Sequence, residues 1–477
     1  MASTNYECCI LGAGPAGLGT AVELTKNGIK DVLILDKNHI IGGLSRTEKR
    51  DSARFDVGPH RFFSKSDEVN ALWKETLGND FIPVDRLTRI YYKNKYFNYP
   101  IKAFDALSKL GVIESLHALF SYAATKFTKK KEAKTFEEWI SQKFGYKLFD
   151  TFFKTYTEKV WGIHCNQIGA EWAAQRIKGL DIIEVIKNSV SFGKKQQVKT
   201  LVEQFDYPLL GAGQMYEAMA DRAMKSGASL ILNVKVTKIH CEDNIIKSIE
   251  YSDSQGNSHN VTANMFFSSI PLTHFFKLTT PTPSADILKA VEALYYRDHI
   301  TVDVLVDRED IFPDQWIYIH SPEVKMARIA NYNNFSKAMV DYRKKTALSI
   351  EYFLFQHDDI WKMNDDDVIA LAKDELKHMK LVDPKTVDNA WVVRETESYP
   401  TYYLGYKEHY EKLKSEINKY TNLYPIGRGG MYKYNNQDHS IMSGLLAARN
   451  YLKKPGTPYD LWEINIDAEY HEGAKRG

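Results

Sequence analysis

Three glycines near the start of the chain have the spacing of a nucleotide-binding turn. Gly12, Gly14 and Gly17 follow an apolar run at residues 6–11, and this order predicts a strand, a tight turn and a helix. The glycines let a pyrophosphate approach the backbone, and the free N–H groups at the helix N-terminus favour an anion. Asp36 ends a second apolar run about 20 residues further on, where a carboxylate binds ribose hydroxyls. The pattern predicts a bound dinucleotide; a purely structural glycine turn is the alternative.

A second glycine-rich segment follows directly. Residues 42–46 come soon after Asp36, and residues 55–63 add a further glycine before His60. Glycine at such positions lets the backbone approach a ligand closely. A second contact just beyond the ribose suits a cofactor with a long, extended body. FAD has such a body and NAD does not need this contact, so the sequence favours FAD.

The composition is that of a soluble globular protein with more than one core. A chain of 477 residues is too long for one ordinary core, so we expect two or three domains. Its 44% hydrophobic and 26% charged residues lie in the globular range. The net charge of +2 predicts no nucleic-acid partner. Four cysteines without a CxxC pair predict neither a metal site nor a disulfide framework.

The sequence also lacks the patterns of membrane-spanning and secreted proteins and of enzymes with a side-chain nucleophile. No apolar run is long enough to span a membrane, and the first residues do not form a signal peptide. We therefore expect a cytoplasmic protein without stable membrane insertion. No Ser–His–Asp or Cys–His signature is visible.

The spacing of apolar residues predicts the elements that position these groups. Residues 66–180 have mostly helical spacing, interrupted by a hairpin-like segment at 89–97. Residues 299–356 are rich in strand-forming segments and predict an antiparallel sheet that covers one side of a pocket. A helix rich in small residues follows Asp438, and its N-terminus is placed to face a polar part of the cofactor.

Four segments lie at residues 42–60, 153–162, 326–329 and 427–438. Taken in order, they resemble a family of flavoproteins that includes amine oxidases, protoporphyrinogen oxidase and UDP-galactopyranose mutase. The resemblance runs almost end to end and is strongest to the mutases.

The resemblance implies an α/β fold with a Rossmann-type, glutathione-reductase-like FAD-binding domain. This domain would be assembled from residues 1–65, 206–272 and 416–477. A mainly helical substrate subdomain would be inserted at residues 66–205. An antiparallel-sheet substrate domain would occupy residues 273–415.

The resemblance also implies contacts with FAD along its full length. His60 would lie beside the isoalloxazine ring, where a neutral imidazole tunes the flavin; a structural histidine at a turn is the alternative. The implied cofactor-binding residues are Gly12, Gly14, Gly17, Asp36, Gly43, Leu44, Ser45, Val236, Gly427, Arg428 and Asp438.

A nucleotide-diphosphate sugar is the substrate that the resemblance implies. Arg328 would hold the two phosphates, because a guanidinium group offers bidentate donors, and Tyr432 would add a hydrogen bond. Tyr156 and Trp161 would bind the base through their ring faces. The alternatives are a surface ion pair for Arg328 and core packing for the two aromatic residues.

The mutases carry a second catalytic arginine on a mobile segment. The nearest candidate in this sequence is Arg176, although the surrounding residues differ from the mutase pattern. Residues 207–213 look more like protoporphyrinogen oxidase.

The implied reaction is the interconversion of pyranose and furanose forms of the sugar. N5 of the reduced flavin would attack the anomeric carbon and displace the nucleoside diphosphate, and NAD(P)H is a candidate reductant. An FAD-dependent oxidoreductase and a non-catalytic escort-type binder are the alternatives, and a homodimer is an open alternative for assembly.

Overall fold

The computed structural model describes residues 4–99, 101, 103–128, 131–170, 204–341 and 344–464. Most strands of this part of the chain form two large sheets. The strands are β1 (Thr4–Leu11), β2 (Val32–Leu35), β3 (Thr47–Arg50), β4 (Ala53–Asp56), β5 (Phe81–Asp85), β6 (Thr88–Tyr92), β7 (Lys95–Asn98), β8 (Gln204–Pro208), β9 (Ser229–Ile231), β10 (Lys235–Glu242), β11 (Ile245–Ser252), β12 (Ser258–Ser268), β13 (Thr279–Thr280), β14 (Tyr296–Val306), β15 (Trp316–Ile319), β16 (Arg328–Asn331), β17 (Thr346–Leu354), β18 (Val387–Pro400) and β19 (Leu423–Pro425).

Helices lie between and around these sheets. The α-helices are α1 (Pro15–Lys26), α2 (Asp67–Leu77), α3 (Ala103–Leu110), α4 (Val112–Phe127), α5 (Phe136–Phe144), α6 (Tyr146–Phe149), α7 (Thr155–Trp161), α8 (Gly213–Lys225), α9 (Leu272–Leu278), α10 (Ala285–Ala293), α11 (Asp359–Lys362), α12 (Asp365–His378), α13 (Tyr406–Ile417), α14 (Gly427–Gly430) and α15 (Gln437–Tyr451).

The first sheet is built around β1. This strand pairs in parallel with β12 and β2, β9 pairs in parallel with β2, and β19 pairs in parallel with β12. Strand β11 pairs antiparallel with both β12 and β10. The second half of β1 and all of β2 are buried, as expected where a parallel sheet is covered on both faces. The predicted α/β class with a Rossmann-type domain is confirmed.

Close packing of α15 on α1 brings the C-terminal segment to the glycine turn. A Cβ atom at Gly444 would lie 2.1 Å from the carbonyl oxygen of Ala16, so only glycine permits this approach. Thr20 donates its hydroxyl to the carbonyl of Gly444 at 3.3 Å. Residues far apart in the sequence therefore meet at one end of β1.

The second sheet has the order β18-β14-β17-β16-β15-β6-β7 and is antiparallel except between β15 and β6. Its central strands β14 and β17 are buried along their whole length. The predicted antiparallel sheet is thus present, but it also takes β6 and β7 from the segment predicted to be mainly helical. The two strands are joined by Lys93 and Asn94, which both have positive φ, the geometry of a tight hairpin turn.

The centre of this sheet holds a buried carboxyl group. Asp303 on β14 is 1% exposed and accepts a hydrogen bond from the hydroxyl of Ser349 on β17. Burial raises the pKa of Asp303 to about 8. An unfolded aspartate has a pKa of about 3.9, so between these values the folded chain keeps a proton that the unfolded chain has lost.

We expect Asp303→Asn to flatten the pH dependence of stability. In the wild type the contribution of Asp303 falls by up to about 1.4 kcal/mol per pH unit as the pH rises from about 4 toward about 8, whereas an amide has no proton to lose. The measurement is the thermal midpoint at pH 5 and pH 8, with Asp307→Asn as the control because Asp307 is exposed just beyond the same strand. Equal pH dependence in both variants would contradict the buried proton.

Candidate functional site

A cavity of about 700 Å³ is lined by residues of both sheets and of the loops between them. This volume lies in the range of cofactor and ligand sites. The cavity brings together most of the residues predicted to hold a cofactor. They are Gly12, Gly14, Asp36, Gly43, Leu44, Ser45, Val236, Gly427, Arg428 and Asp438.

The two glycine segments meet at one side of the cavity. Gly12 has a φ of +112°, and a Cβ atom at Gly43 would lie 3.2 Å from the Cα atom of Gly14. Helix α1 begins after Gly14 without a side-chain cap, so its first N–H groups are available to an anion. The carboxylate of Asp36 accepts hydrogen bonds from the N–H of Ala13 at 2.6 Å and of Asn38 at 2.7 Å. This carboxylate fixes the turn relative to β2.

Gly17 differs from the other predicted cofactor residues because it does not line the cavity. A Cβ atom at Gly17 would lie 1.8 Å from the carbonyl oxygen of Gly12. Its role is therefore to let α1 start close beside the turn, and any effect on a ligand is indirect.

A buried arginine connects the second glycine segment to the second sheet. Arg46 is 4% exposed and donates to Glu395 on β18, to Glu48 at 2.9 Å and to the carbonyl oxygen of Gly43 at 3.1 Å. Glu395 itself lines the cavity. The ion pair neutralises this carboxylate and holds the glycine segment against β18.

His60 lines the cavity with an unsatisfied ring nitrogen. Its Nδ1 atom is buried and has no hydrogen-bond partner within the described residues. Burial lowers the pKa of His60 to about 3, and the nearby charges of Arg428 and Arg328 act in the same direction. The imidazole is therefore neutral at physiological pH and has a buried polar atom to offer a ligand.

Arg328 reaches the cavity from β16. It donates from Nε and Nη2 to the two carboxylate oxygens of Glu351 on β17, the second bond measuring 2.7 Å. Glu351 is 1% exposed, so this pair fixes the guanidinium plane at the cavity wall. Both residues lie near Gly58, where a Cβ atom would come within 3.0 Å of Glu351.

Arg428 supplies a second guanidinium group from the C-terminal segment. It donates to the carbonyl oxygens of Asn435 at 2.9 Å and Ser398 at 3.1 Å. Its guanidinium carbon lies 4.7 Å and 5.2 Å from the ring centres of Tyr399 and Tyr434. These partners orient Arg428 through neutral groups, so they leave its positive charge in the cavity.

Comparison with known proteins identifies the family of this chain. Residues 15–452 match the family described as flavin containing amine oxidoreductase, which is most of the chain. The chain belongs to this family. Its members are flavin-dependent enzymes, and membership supports the predicted flavin cofactor and the predicted relationship.

Several solved structures share the fold. Reduced UDP-galactopyranose mutase has a TM-score of 0.80 at 22% identity, over 94% of this chain and 96% of that one. A protein from Exiguobacterium sp. 255-15 described as a protoporphyrinogen oxidase has a TM-score of 0.70 at 14% identity, over 95% and 100%. Putrescine oxidase has a TM-score of 0.62 at 12% identity, over 95% and 100%.

The residues that line the cavity fit an extended flavin dinucleotide. The uncapped start of α1 suits a pyrophosphate, and the bare backbone at Gly43 leaves room beside it. At the other end, His60 offers an unpartnered buried nitrogen. The glycine turn and His60 thus suit two separate parts of such a cofactor.

Three predicted substrate residues lie outside the cavity wall. Trp161 is 3% exposed and packs against Tyr402 and Tyr434. Tyr156 stacks on His320 with ring centres 4.7 Å apart. Trp161 thus packs in the core, the alternative considered for it, whereas Tyr156 is half-buried.

Tyr432 is the third, and its position does not fit the predicted contact with a diphosphate. It is 1% exposed, and its hydroxyl donates to the carbonyl oxygens of Tyr295 at 2.8 Å and Thr401 at 3.1 Å. The prediction missed the neighbouring Tyr434, which lines the cavity. Tyr432 has a φ of +49°, so the chain turns here and side-chain direction cannot be counted from one residue to the next.

Arg176 and Arg297 are two further arginines of the chain. Arg176, predicted to be catalytic, lies outside the described residues. Arg297 was not predicted; it is 2% exposed and donates to the carbonyl oxygens of Val160 and Lys159 at the C-terminus of α7. Arg297 thereby holds α7 against the second sheet, where a cation complements the helix dipole.

Sequence reasoning also missed a set of cavity residues on β18, on β15, on α9 and in a loop. β18 was not predicted, and its end carries several polar side chains into the cavity. The missed residues are Arg61, His274, Tyr318, Glu395, Glu397 and Tyr399. The β-branched and aromatic residues at 387, 391, 392, 393, 396 and 399 were the available signal for the strand.

Proposed function

We propose that this flavin protein is a mutase that interconverts the pyranose and furanose forms of a nucleotide-linked sugar of the UDP-galactopyranose type. The observation that carries the proposal is the pairing of Arg328 and Arg428 at one cavity, beside Tyr318, Tyr399 and Tyr434. Two guanidinium groups suit a diphosphate. They disfavour a protonated amine, because like charges repel at short range.

FAD bound in its reduced form would supply the nucleophile that displaces the nucleoside diphosphate from the sugar. Arg328 and Arg428 would hold the displaced diphosphate near the sugar, so that it can return after the ring has changed size. Confinement of this kind replaces a bimolecular step by an effectively unimolecular one. His60 remains neutral and so adds no charge between the two arginines and the cofactor.

The ion pair between Glu351 and Arg328 gives the two arginines of the cavity different roles. Glu351 neutralises one face of Arg328 through Nε and Nη2, which leaves Nη1 as the donor for a phosphate oxygen. Arg428 keeps its full charge because it donates to carbonyl oxygens and lies over aromatic rings. The site would therefore attract a diphosphate mainly through Arg428, which the resemblance assigned to the cofactor, and orient it through Arg328.

The decisive experiment is an anaerobic assay of the flavin-loaded protein. The protein is reduced with dithionite and mixed with UDP-galactopyranose and related UDP-sugars, and the products are separated chromatographically. A furanose product supports the mutase. Absence of any ring-contracted product, together with peroxide release from an amine in air, would establish the oxidoreductase instead. A colourless protein without flavin absorbance would count against both.

An FAD-dependent oxidoreductase is the second candidate, and one observation favours it. Glu397 lines the same cavity, and burial raises its pKa. A carboxyl group of this kind can accept or deliver a proton during substrate oxidation.

NAD(P)H remains the candidate reductant for the mutase and would be tested by flavin bleaching under nitrogen.

Tyr432 and Tyr434 give a matched pair of variants. Tyr434→Phe is expected to weaken UDP binding by about tenfold, because a hydrogen bond to a charged phosphate is lost. Tyr432→Phe is expected to leave UDP binding unchanged and to cost about 1 kcal/mol of stability, because its hydroxyl binds two buried carbonyl oxygens. Calorimetric titration with UDP and thermal midpoints separate the two; the opposite pattern would restore Tyr432 as the substrate residue.

A further inference from the structure

Helix α4 exposes an unusual number of apolar side chains. Among the described residues, six of the eleven large apolar side chains classed as exposed lie on this one helix. Phe127 is 91% exposed and Val112 is 77% exposed, whereas Ala118 is the buried residue of the helix. We call the exposed set the α4 face; it consists of Val112, Ile113, Leu116, Leu119, Phe120 and Phe127.

These side chains form one continuous stripe. With 3.6 residues per turn they fall within an arc of roughly 120° along the full length of α4. Ala123 and Ala124 are exposed within the same stripe. An amphipathic helix of a globular protein normally turns such a stripe toward the core. Here it faces outward, and a contiguous apolar surface of this kind marks an interaction site.

Positive charge borders the α4 face. Residues 109–134 contain six lysines and two glutamates, a net charge of +4, although the whole chain carries only +2. Lys126, Lys131 and Lys134 are exposed next to the C-terminal end of the stripe. One of the glutamates, Glu114, is bound to Lys147 at 2.5 Å. The C-terminal end of the stripe is therefore cationic, whereas Lys109 near its N-terminal end is paired with Asp105 at 2.6 Å.

We propose that the α4 face binds the surface of a membrane that contains anionic lipids, with α4 lying in the plane of the interface. An apolar stripe bordered by lysines is the pattern of helices that lie in this interface, and lysines there are attracted to anionic headgroups. No helix of the described chain is long and apolar enough to cross a membrane, so the contact would be peripheral. The inference does not depend on the proposed function.

A second copy of the chain is a poorer occupant of the same face. Pairing two α4 faces would bring the lysine-rich ends against a partner whose α4 offers one carboxylate, Glu114, already bound to Lys147. The lysines would thus meet no compensating negative charge on the partner's α4. An anionic bilayer supplies both the apolar layer and the missing negative charge.

The test is sedimentation of the flavin-loaded full chain with sucrose-filled vesicles. Vesicles of phosphatidylcholine alone are compared with vesicles that contain phosphatidylglycerol as well. The variants are Phe120→Ser/Phe127→Ser and Lys126→Gln/Lys131→Gln/Lys134→Gln. The matched control is Met224→Ser/Leu404→Ser, which removes two exposed apolar side chains elsewhere. Flavin absorbance and circular dichroism confirm that each variant is folded.

We expect the wild type and the control to bind vesicles with phosphatidylglycerol. The phenylalanine variant should lose about tenfold in partitioning for each side chain removed. The lysine variant should lose about fivefold for each lysine at low salt, on anionic vesicles only. Failure of the wild type to bind, or wild-type binding by the phenylalanine variant, would overturn the proposal. So would a dimer in analytical ultracentrifugation that the phenylalanine variant dissociates, since the face would then join two copies.

Discussion

Arg328→Ala is expected to weaken the binding of UDP to the flavin-loaded protein by about 100-fold. In the proposed site a diphosphate accepts hydrogen bonds from a guanidinium group whose plane is fixed by Glu351. Removing the guanidinium removes both a positive charge and a donor that is already oriented. Calorimetric titration with UDP measures the effect without requiring turnover.

The variant has a structural cost that must be separated from the loss of binding. Glu351 is 1% exposed, and Arg328→Ala leaves its carboxylate buried without its partner, which destabilises proteins by about 3–5 kcal/mol. Arg89 gives a matched control in the same sheet. It donates from Nε and Nη2 to Asp314, whose side chain is 0% exposed, and it does not line the cavity.

Arg89→Ala should therefore lower the thermal midpoint like Arg328→Ala and leave UDP affinity unchanged. Arg328→Lys should fall between the wild type and the alanine variant, because lysine keeps the charge but not the planar pair of donors. If Arg328→Ala bound UDP as tightly as Arg89→Ala, Arg328 would be only a structural partner of Glu351. The proposed orientation of the diphosphate would then be wrong.

The cofactor side of the site could be predicted because its determinants are local. Gly12, Gly14 and Asp36 lie within one strand–turn–helix–strand unit, and short-range spacing fixes where each one lies. Gly427 and Arg428 are distant in sequence, and their place at the same cavity came only from the family resemblance. The structure adds the physical reason: Gly444 permits α15 to pack on α1.

The substrate residues were harder to predict from the sequence, because the directions of their side chains depend on the tertiary fold. Tyr432 and Tyr434 are two residues apart, and a positive φ at Tyr432 decides which one reaches the cavity. On β18, Glu397 also has a positive φ, and the register with β14 shifts between Arg297 and His299. Such irregularities redirect side chains, and no periodicity in the sequence reveals them. Trp161 packs inside because Arg297 holds its helix against the sheet.

Gly17→Ala is expected to cause the second large loss, in both stability and flavin content. Two effects oppose each other at this position. Alanine favours a helix interior over glycine by about 1 kcal/mol, and Gly17 lies inside α1. However, its Cβ atom would lie 1.8 Å from the carbonyl oxygen of Gly12. Because that neighbour is backbone, α1 must move away from the turn, and overpacking of this kind costs about 1–3 kcal/mol or more.

The displacement would also move the N-terminus of α1 away from the predicted pyrophosphate position, so the purified variant should contain less flavin per chain than the wild type. Gly169→Ala is the control, because Gly169 has no positive φ and nothing within 4 Å of the added Cβ atom; it should keep its flavin and its thermal midpoint. The flavin-to-protein absorbance ratio and the thermal midpoint of both variants show whether Gly17→Ala loses flavin and stability while Gly169→Ala keeps both. A stabilised, fully yellow Gly17→Ala protein would mean that helix propensity dominates and that the close contact between turn and helix is not required to hold the cofactor.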